Sequence, residues 1–446
     1  MFGLVPSVLH SRGAPFSPGS LPGLLAYYRV NTVNGVAGSN MWQDSARTTA
    51  ATATGDPIGA LDDLSGNGYH LTQVTNGNRM KLRLDSLGGL TSIVVDLITA
   101  EWLNFPAGFS VDMRACTVLA IVRPHSLGGP RNLFNFGTVG AGLLVDFDVN
   151  ASVMRTFQAQ VNLSTLRPYC NPIVLGVVAG ASARTGYCGD IAAESGAAFN
   201  VASPTGGVLF ARAAGGAPNY LGELYEFMVY NRALSAAEVA QIQAYSAGAY
   251  GSQSHTKQMV VDGDSLTEGS DSTQGREWAG VVGDGLGPSW RTYNYGYQGS
   301  TTVDLNNRRV GQIQNRYNSG YSKNIAVYWC GTNDLGVTGD TAANTFARLQ
   351  TWCQAVKGAG FKVVVCTIIA RNDAAWSGAK ETERLALNTS INGLSSTYQD
   401  AIVDLAADAR LSNANDATYF AAAKLHITTA GHAVVAGLVQ TAVAAL

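Results

Sequence analysis

An apolar run closes on Gly263-Asp264-Ser265-Leu266-Thr267, and far downstream His426 sits in YFAAAKLHITTAGHAVVA, Tyr419 to Ala436. A serine at a strand-to-helix turn can stand clear of a sheet with its own N–H aimed into the same cleft. A nucleophile and its oxyanion donor need that arrangement. The plainer alternative is that Ser265 caps the following segment. Gly299, in NYGYQGSTT, lacks the Cβ that would keep a ligand from a backbone N–H, but a simple turn glycine reads the same way. Asn333, in YWCGTNDLG, offers a side-chain amide to a developing oxyanion or is a turn residue, and Asp334 beside it reads as a loop brace. Before His426 stand Ala421, Ala422 and Ala423, where a polar partner would be expected.

These residues need a scaffold, and residues 258–446 provide the pattern of one. QMVVDGD, RTYNYGY, KNIAVYWC, FKVVVCTIIA and AIVDLA read as strands. Between them REWAGVVGDGL, VDLNNRRVGQIQNRY, TAANTFARLQTWCQAVKGAG and KETERLALNTSINGLSSTY read as helices, with TTAGHAVVAGLVQTAVAAL as the last. Five strands alternating with helices predict a parallel sheet covered on both faces, an α/β/α three-layer domain. Reactive groups in such sheets collect beyond the C-terminal strand ends, where Ser265, Gly299 and Asn333 fall after successive strands.

Residues 24–250 have a different rhythm. Short apolar runs such as CTVLAIVRP, NPIVLGVVAG and LGELYEFMVYN are broken by Gly, Asn, Pro and Asp, which predicts an all-β sandwich. SAAEVAQIQAYSAGA alone has a helical period, with Ser235 as N-cap and Glu238 as its capping-box partner. Residues 251–257 read as a polar linker and residues 1–23 as an N-terminal extension.

With 446 residues, 46% hydrophobic and 13% charged, the chain can fill two cores. A net charge of -2, with no Lys/Arg run among aromatics, gives no electrostatic support for nucleic acid or an anionic membrane. The six cysteines form no CxxC pair and no Cys/His ligand spacing, so neither a metal nor a cofactor is expected. Cys170 and Cys188 could pair. No apolar stretch approaches a membrane span. The N-terminus lacks a basic region followed by an apolar core and reads poorly as a signal peptide.

Two resemblances follow from these segments. WQDSARTTAATATGDPIGALDDLSGNGYHLTQ with GELYEFMVYNRALSAAEVAQI resembles concanavalin A-like, laminin-G-like jelly-roll domains, through Asp63, the SGNGYH turn, and Tyr230 to Leu234 with Glu238. Such modules accompany extracellular or bacteriophage virion enzymes. From residue 257 onward the chain resembles the SGNH (GDSL) hydrolases, flavodoxin-like in fold. The matching blocks are Gly263-Asp264-Ser265-Leu266, Gly299, Gly331-Thr332-Asn333-Asp334 and His426, with ERLALNTSI and the Thr428/Gly431 pattern as further likenesses.

That resemblance implies Ser265 as nucleophile. It implies an oxyanion hole from the N–H groups of Ser265 and Gly299 with the Asn333 amide, and His426 as general base. The histidine count agrees: His255 lies in the linker and His432 inside the last helix as a packed or anchoring residue. The family's third member, an Asp three residues before the His, is replaced by Ala423. Losing that partner in a serine protease triad costs about ten-thousand-fold in kcat. Three explanations stand: a chain disabled by substitution, a natural dyad, or a carboxylate from elsewhere such as Asp416. The first is preferred, because the rest of the site is intact and natural relaxation would leave Asn or Ser more readily than Ala. The chain is therefore read as an impaired copy.

The expected activity is a serine esterase, a carbohydrate O-acetyl esterase acting on an acetylated surface polysaccharide. The expected setting is extracellular or on a virion, as a tail or tailspike component, with a trimer as the corresponding assembly. The alternatives are a glycan-binding adhesin with a degenerate hydrolase domain, and a lipase or thioesterase of the same family.

Overall fold

A computed structural model describes residues 16–446, except for short segments; those at 251–254, 274 and 288 are the only ones outside the stretch between 31 and 221. Cys170 lies outside the described residues, and with it the pairing considered for Cys188.

The strand-rich region holds two antiparallel sheets, each of nine strands among the described residues. At the centre of the first, Cys116–Pro124 pairs along its length with Gly222–Tyr230, and both strands are buried throughout. Strand alternation explains how both faces can be apolar. Val118, Ala120, Phe227 and Val229 join the core between the sheets, beside a cluster of Phe105, Phe109, Phe134 and Phe136. Leu119, Ile121, Met228 and Tyr230 point outward, where Val239 and Ile242 of the helix Ala236–Tyr250 cover them. The capping box read from the sequence is present: Glu238 N–H donates to Ser235 Oγ (3.3 Å), and Ser235 N–H donates to Glu238 Oε2 (2.8 Å).

In the C-terminal half the strands are β1 (Lys257–Gly263), β2 (Trp290–Gly296), β3 (Lys323–Trp329), β4 (Lys362–Cys366) and β5 (Ala401–Val403). The helices are α1 (Ser265–Glu268), α2 (Trp278–Leu286), α3 (Thr302–Gln312), α4 (Ala342–Gly358), α5 (Gly378–Asn392) and α6 (Thr429–Ala445). All strand pairs are parallel, in the order β2-β1-β3-β4-β5. The expected five-stranded parallel sheet flanked by helices is therefore what forms. Because β2 and β3 flank β1, the order reverses there, and a crevice opens beyond the strand ends.

Buried polar groups fix the helices to this sheet. Asp262 near the end of β1 accepts from Arg308 of α3 (2.6 Å) and from the Trp352 indole of α4 (3.0 Å). Asn388 of α5 both accepts from and donates to the Ile368 backbone, at 2.8 Å each, pinning the loop after β4. That is the structural use of the ERLALNTSI segment.

The two halves meet through charge. Arg123, 1% exposed on the outer face of the first sheet, forms paired contacts with Asp284 of α2 at 2.7 and 3.2 Å. Glu223 beside it is held by Arg83 at 2.6 Å.

Candidate active site

Asp264 rather than Ser265 caps α1: its carboxylate accepts the Leu266 N–H at 3.0 Å. Ser265 is thus the first helical residue, and its hydroxyl is left for other partners. Gly263 permits this sharp entry. A Cβ there would lie 2.1 Å from Thr267 Oγ1 and 2.3 Å from the Trp329 carbonyl. Burial pushes the Asp264 carboxyl up to about 7, the Leu266 N–H opposing that rise and Asp334 adding to it.

Ser265 Oγ lies 3.0 Å from His426 Nε2, although 161 residues separate them. The histidine is held by a small hairpin before α6. The Ala421 N–H donates to the His426 carbonyl (3.0 Å), and the Thr428 N–H donates to the Tyr419 carbonyl (2.9 Å). Thr428 then caps α6 by accepting the Gly431 N–H.

The other two sequence-predicted residues follow the neighbouring strands. Gly299, after β2, adopts φ +77° in a turn closed by Ser300 N–H to Tyr297 O at 3.1 Å. Its glycine is required by that backbone conformation, since a Cβ would meet no protein atom within 4 Å. Asn333, after β3, donates from Nδ2 to the Ser300 carbonyl at 3.0 Å, which fixes the amide plane. An amide nitrogen has a second N–H for a developing oxyanion. Asp334 accepts from Thr302 N–H and Oγ1 (3.0 and 2.5 Å), tying the loop after β3 to the start of α3. A cleft of about 300 Å³ opens at the Gly299 turn, lined by Tyr297, Gln298, Gly299, Ser300, Asp304, Arg308 and Gln312.

The expectation that His426 lacks a carboxylate partner is corrected. Ala423 is exposed in a turn closed by Lys424 N–H to Ala421 O, and Asp416 is turned aside, accepting the Thr418 N–H at 2.9 Å. Asp271 occupies the place instead, with Oδ2 2.9 Å from His426 Nδ1. An ionised carboxylate only accepts, so Nδ1 carries the proton and Nε2 faces Ser265 as the acceptor. The sequence reading missed Asp271. Its one local signal was the polar turn Gly269-Ser270-Asp271 directly after α1, which says nothing of a histidine 155 residues away.

His432 is fully buried, with Nδ1 accepting the Trp278 N–H at 3.3 Å and Nε2 3.5 Å from the Ser270 carbonyl. Burial pushes it down to about 4, so it stays neutral and structural near pH 7. His255 lies 3.3 Å from Arg291 at the start of β2, away from these strand ends. Among the described residues no group of three His, Cys, Asp or Glu side chains could hold a metal ion, and no helix is long and apolar enough to cross a membrane.

Comparison with known proteins places residues 262–434 in a match to the GDSL-like Lipase/Acylhydrolase family. Curated protein sequences give no match. Solved structures similar to this half include a member of the lipolytic protein G-D-S-L family from Veillonella parvula. It is 18% identical, covers 43% of this chain and 100% of that one, and has a TM-score of 0.36. A GDSL-like lipase from Bacteroides thetaiotaomicron is 18% identical over 43% of this chain and 90% of its own, with a TM-score of 0.34. An acetyl esterase mutant with an acetate ion is 19% identical over 42% and 95%, with a TM-score of 0.33.

Proposed function

We propose that the GDSL-like domain matched over residues 262–434 is a serine ester hydrolase, and that its substrates are acetyl esters on a polysaccharide. The observation that carries the reading is the 3.0 Å contact between Ser265 Oγ and His426 Nε2 at the switch point of the sheet. In this mechanism Ser265 Oγ attacks the ester carbonyl while its proton passes to Nε2. The N–H groups of Ser265 and Gly299 and the Asn333 amide stabilise the oxyanion, a contribution of about 10²- to 10³-fold in kcat for a single donor. Collapse expels the alcohol, which takes the proton from Nε2. Water then attacks the acyl-serine with the same base, releasing the acid and restoring Ser265.

The substrate class rests on two features. The cleft of about 300 Å³ at the Gly299 turn, lined in part by Gln298, Ser300 and Asp304, offers hydrogen-bonding groups to a sugar. The strand-rich region resembles concanavalin A-like modules, an association that favours a glycan at an extracellular or virion surface. This second support is an analogy of fold. The adhesin reading loses its main ground once a carboxylate stands on His426.

The test is hydrolysis of p-nitrophenyl acetate, butyrate and decanoate, with acetate release from a panel of acetylated bacterial glycans. The rate is expected to fall with chain length, acetate to be released from at least one glycan, and both activities to vanish in Ser265→Ala. Preference for decanoate would overturn the acetyl assignment. Tight glycan binding without hydrolysis would favour the adhesin.

A further inference from the structure

We infer that Asp271 is the positioning residue for His426, supplying from the turn after the nucleophile what the family's sequence position, here Ala423, cannot. The inference rests on the esterase reading of Ser265. The geometry is a continuous chain: Asp271 Oδ2 to His426 Nδ1 at 2.9 Å, then His426 Nε2 to Ser265 Oγ at 3.0 Å. A carboxylate in that place selects the tautomer that leaves Nε2 free to accept. It also offsets the charge of the imidazolium as the serine loses its proton.

The turn is built to hold the carboxylate there. Asp271 adopts φ +64°, a left-handed conformation that Asp tolerates better than most residues. On its N-terminal side, Gly269 N–H and Ser270 N–H both donate to the Ser265 carbonyl at 3.0 Å, so the turn is closed directly onto the nucleophile. Ser272 Oγ donates back to the Gly269 carbonyl at 2.6 Å. On its C-terminal side, Thr273 N–H donates to Thr429 Oγ1 at 2.8 Å, and on the N-terminal side His432 reaches the Ser270 carbonyl. Thr429 and His432 belong to the first turn of α6, and His426 lies just before that helix. Acid and base are therefore registered against one rigid element.

This arrangement explains why Ala is acceptable at 423. Nδ1 has one proton, and one ionised acceptor satisfies it. A second carboxylate introduced at 423 would compete for that proton and repel Asp271. Asp271 is 49% exposed, so water screens part of its effect and the loss on removal falls at or below the full triad value.

Three variants of the full chain test the inference: Asp271→Asn, Asp271→Glu and Ala423→Asp. Asp271→Asn is expected to lower kcat by about 10²- to 10⁴-fold with KM and the unfolding temperature little changed. Asp271→Glu is expected to recover part of that loss. Ala423→Asp alone is expected to raise kcat by less than about threefold, because no vacancy is filled. In proton NMR the parent is expected to show a downfield imidazole N–H resonance that is lost in Asp271→Asn, a readout independent of turnover. Asp271→Asn within about threefold of the parent would overturn the inference, as would a tenfold or larger gain from Ala423→Asp or persistence of the resonance. Failure of the esterase reading itself would show separately, as hydrolysis that survives Ser265→Ala.

Discussion

At the scale of single residues, the site is a set of polar groups whose surroundings assign their states. Asp264 caps the helix that begins at Ser265 from a fully buried position, and that burial raises its carboxyl from 3.8 to about 7. A folded-state value above the unfolded one means that stability is fully present below about 3.8 and is lost as pH rises through about 7. Asp264→Asn keeps an acceptor for the Leu266 N–H and removes the titration. Between about pH 4 and about pH 7 the parent should lose thermal stability relative to the variant. Parallel curves for the two proteins would contradict this assignment. Ser265, Asn333 and His426 could be singled out in the sequence through the blocks that resemble a known family, their local contexts alone leaving a cap, a turn residue or a packed residue open. Asp271 could not. It is a turn residue whose meaning comes from the helix packed against it, and short-range pattern does not contain that contact.

At the scale of elements, close approach of α1 to the strand ends sets the geometry. Gly263 is where that approach is tightest, with Thr267 Oγ1 and the Trp329 carbonyl in the space of a Cβ. Gly263→Ala should destabilise the fold by about 1–3 kcal/mol, as overpacking does, and should lower kcat by displacing Ser265. Urea unfolding and steady-state kinetics on the same preparation check it; unchanged values in both would remove the strain argument. Most elements follow the sequence closely because continuous apolar runs specify strands buried on both faces. Their ends are less legible. The sequence predicts the fourth helix of this half over KETERLALNTSINGLSSTY, whereas it occupies Gly378–Asn392. Ser377 caps it earlier by accepting the Lys380 N–H, and Gly393 ends it.

At the scale of the whole molecule, the strand-rich half and the α/β half are joined by a buried ionic contact. Arg123 satisfies Asp284 and lies 3.8 Å from Glu223, while Glu277, at the start of α2, is fully buried and pushed up to about 8 mainly by desolvation. Removing one partner of such a group leaves its neighbours charged and poorly solvated. Arg123→Met should therefore cost about 3–5 kcal/mol in denaturant unfolding. It should also let the two halves unfold in separate transitions. A single transition with parental stability would show that the contact does not couple them. The short apolar runs of residues 24–250 predict paired sheets with a core between them, whereas nothing in the pattern around Arg123 points to a partner 161 residues away.

The central claim is that Ser265 is a nucleophile activated by His426. Its most direct test is incubation of the full chain with diethyl p-nitrophenyl phosphate, followed by peptide mass mapping. The account predicts one diethylphosphoryl adduct, on Ser265, absent in Ser265→Ala and strongly slowed in His426→Ala. No adduct, or an adduct on another residue that survives Ser265→Ala, would contradict it.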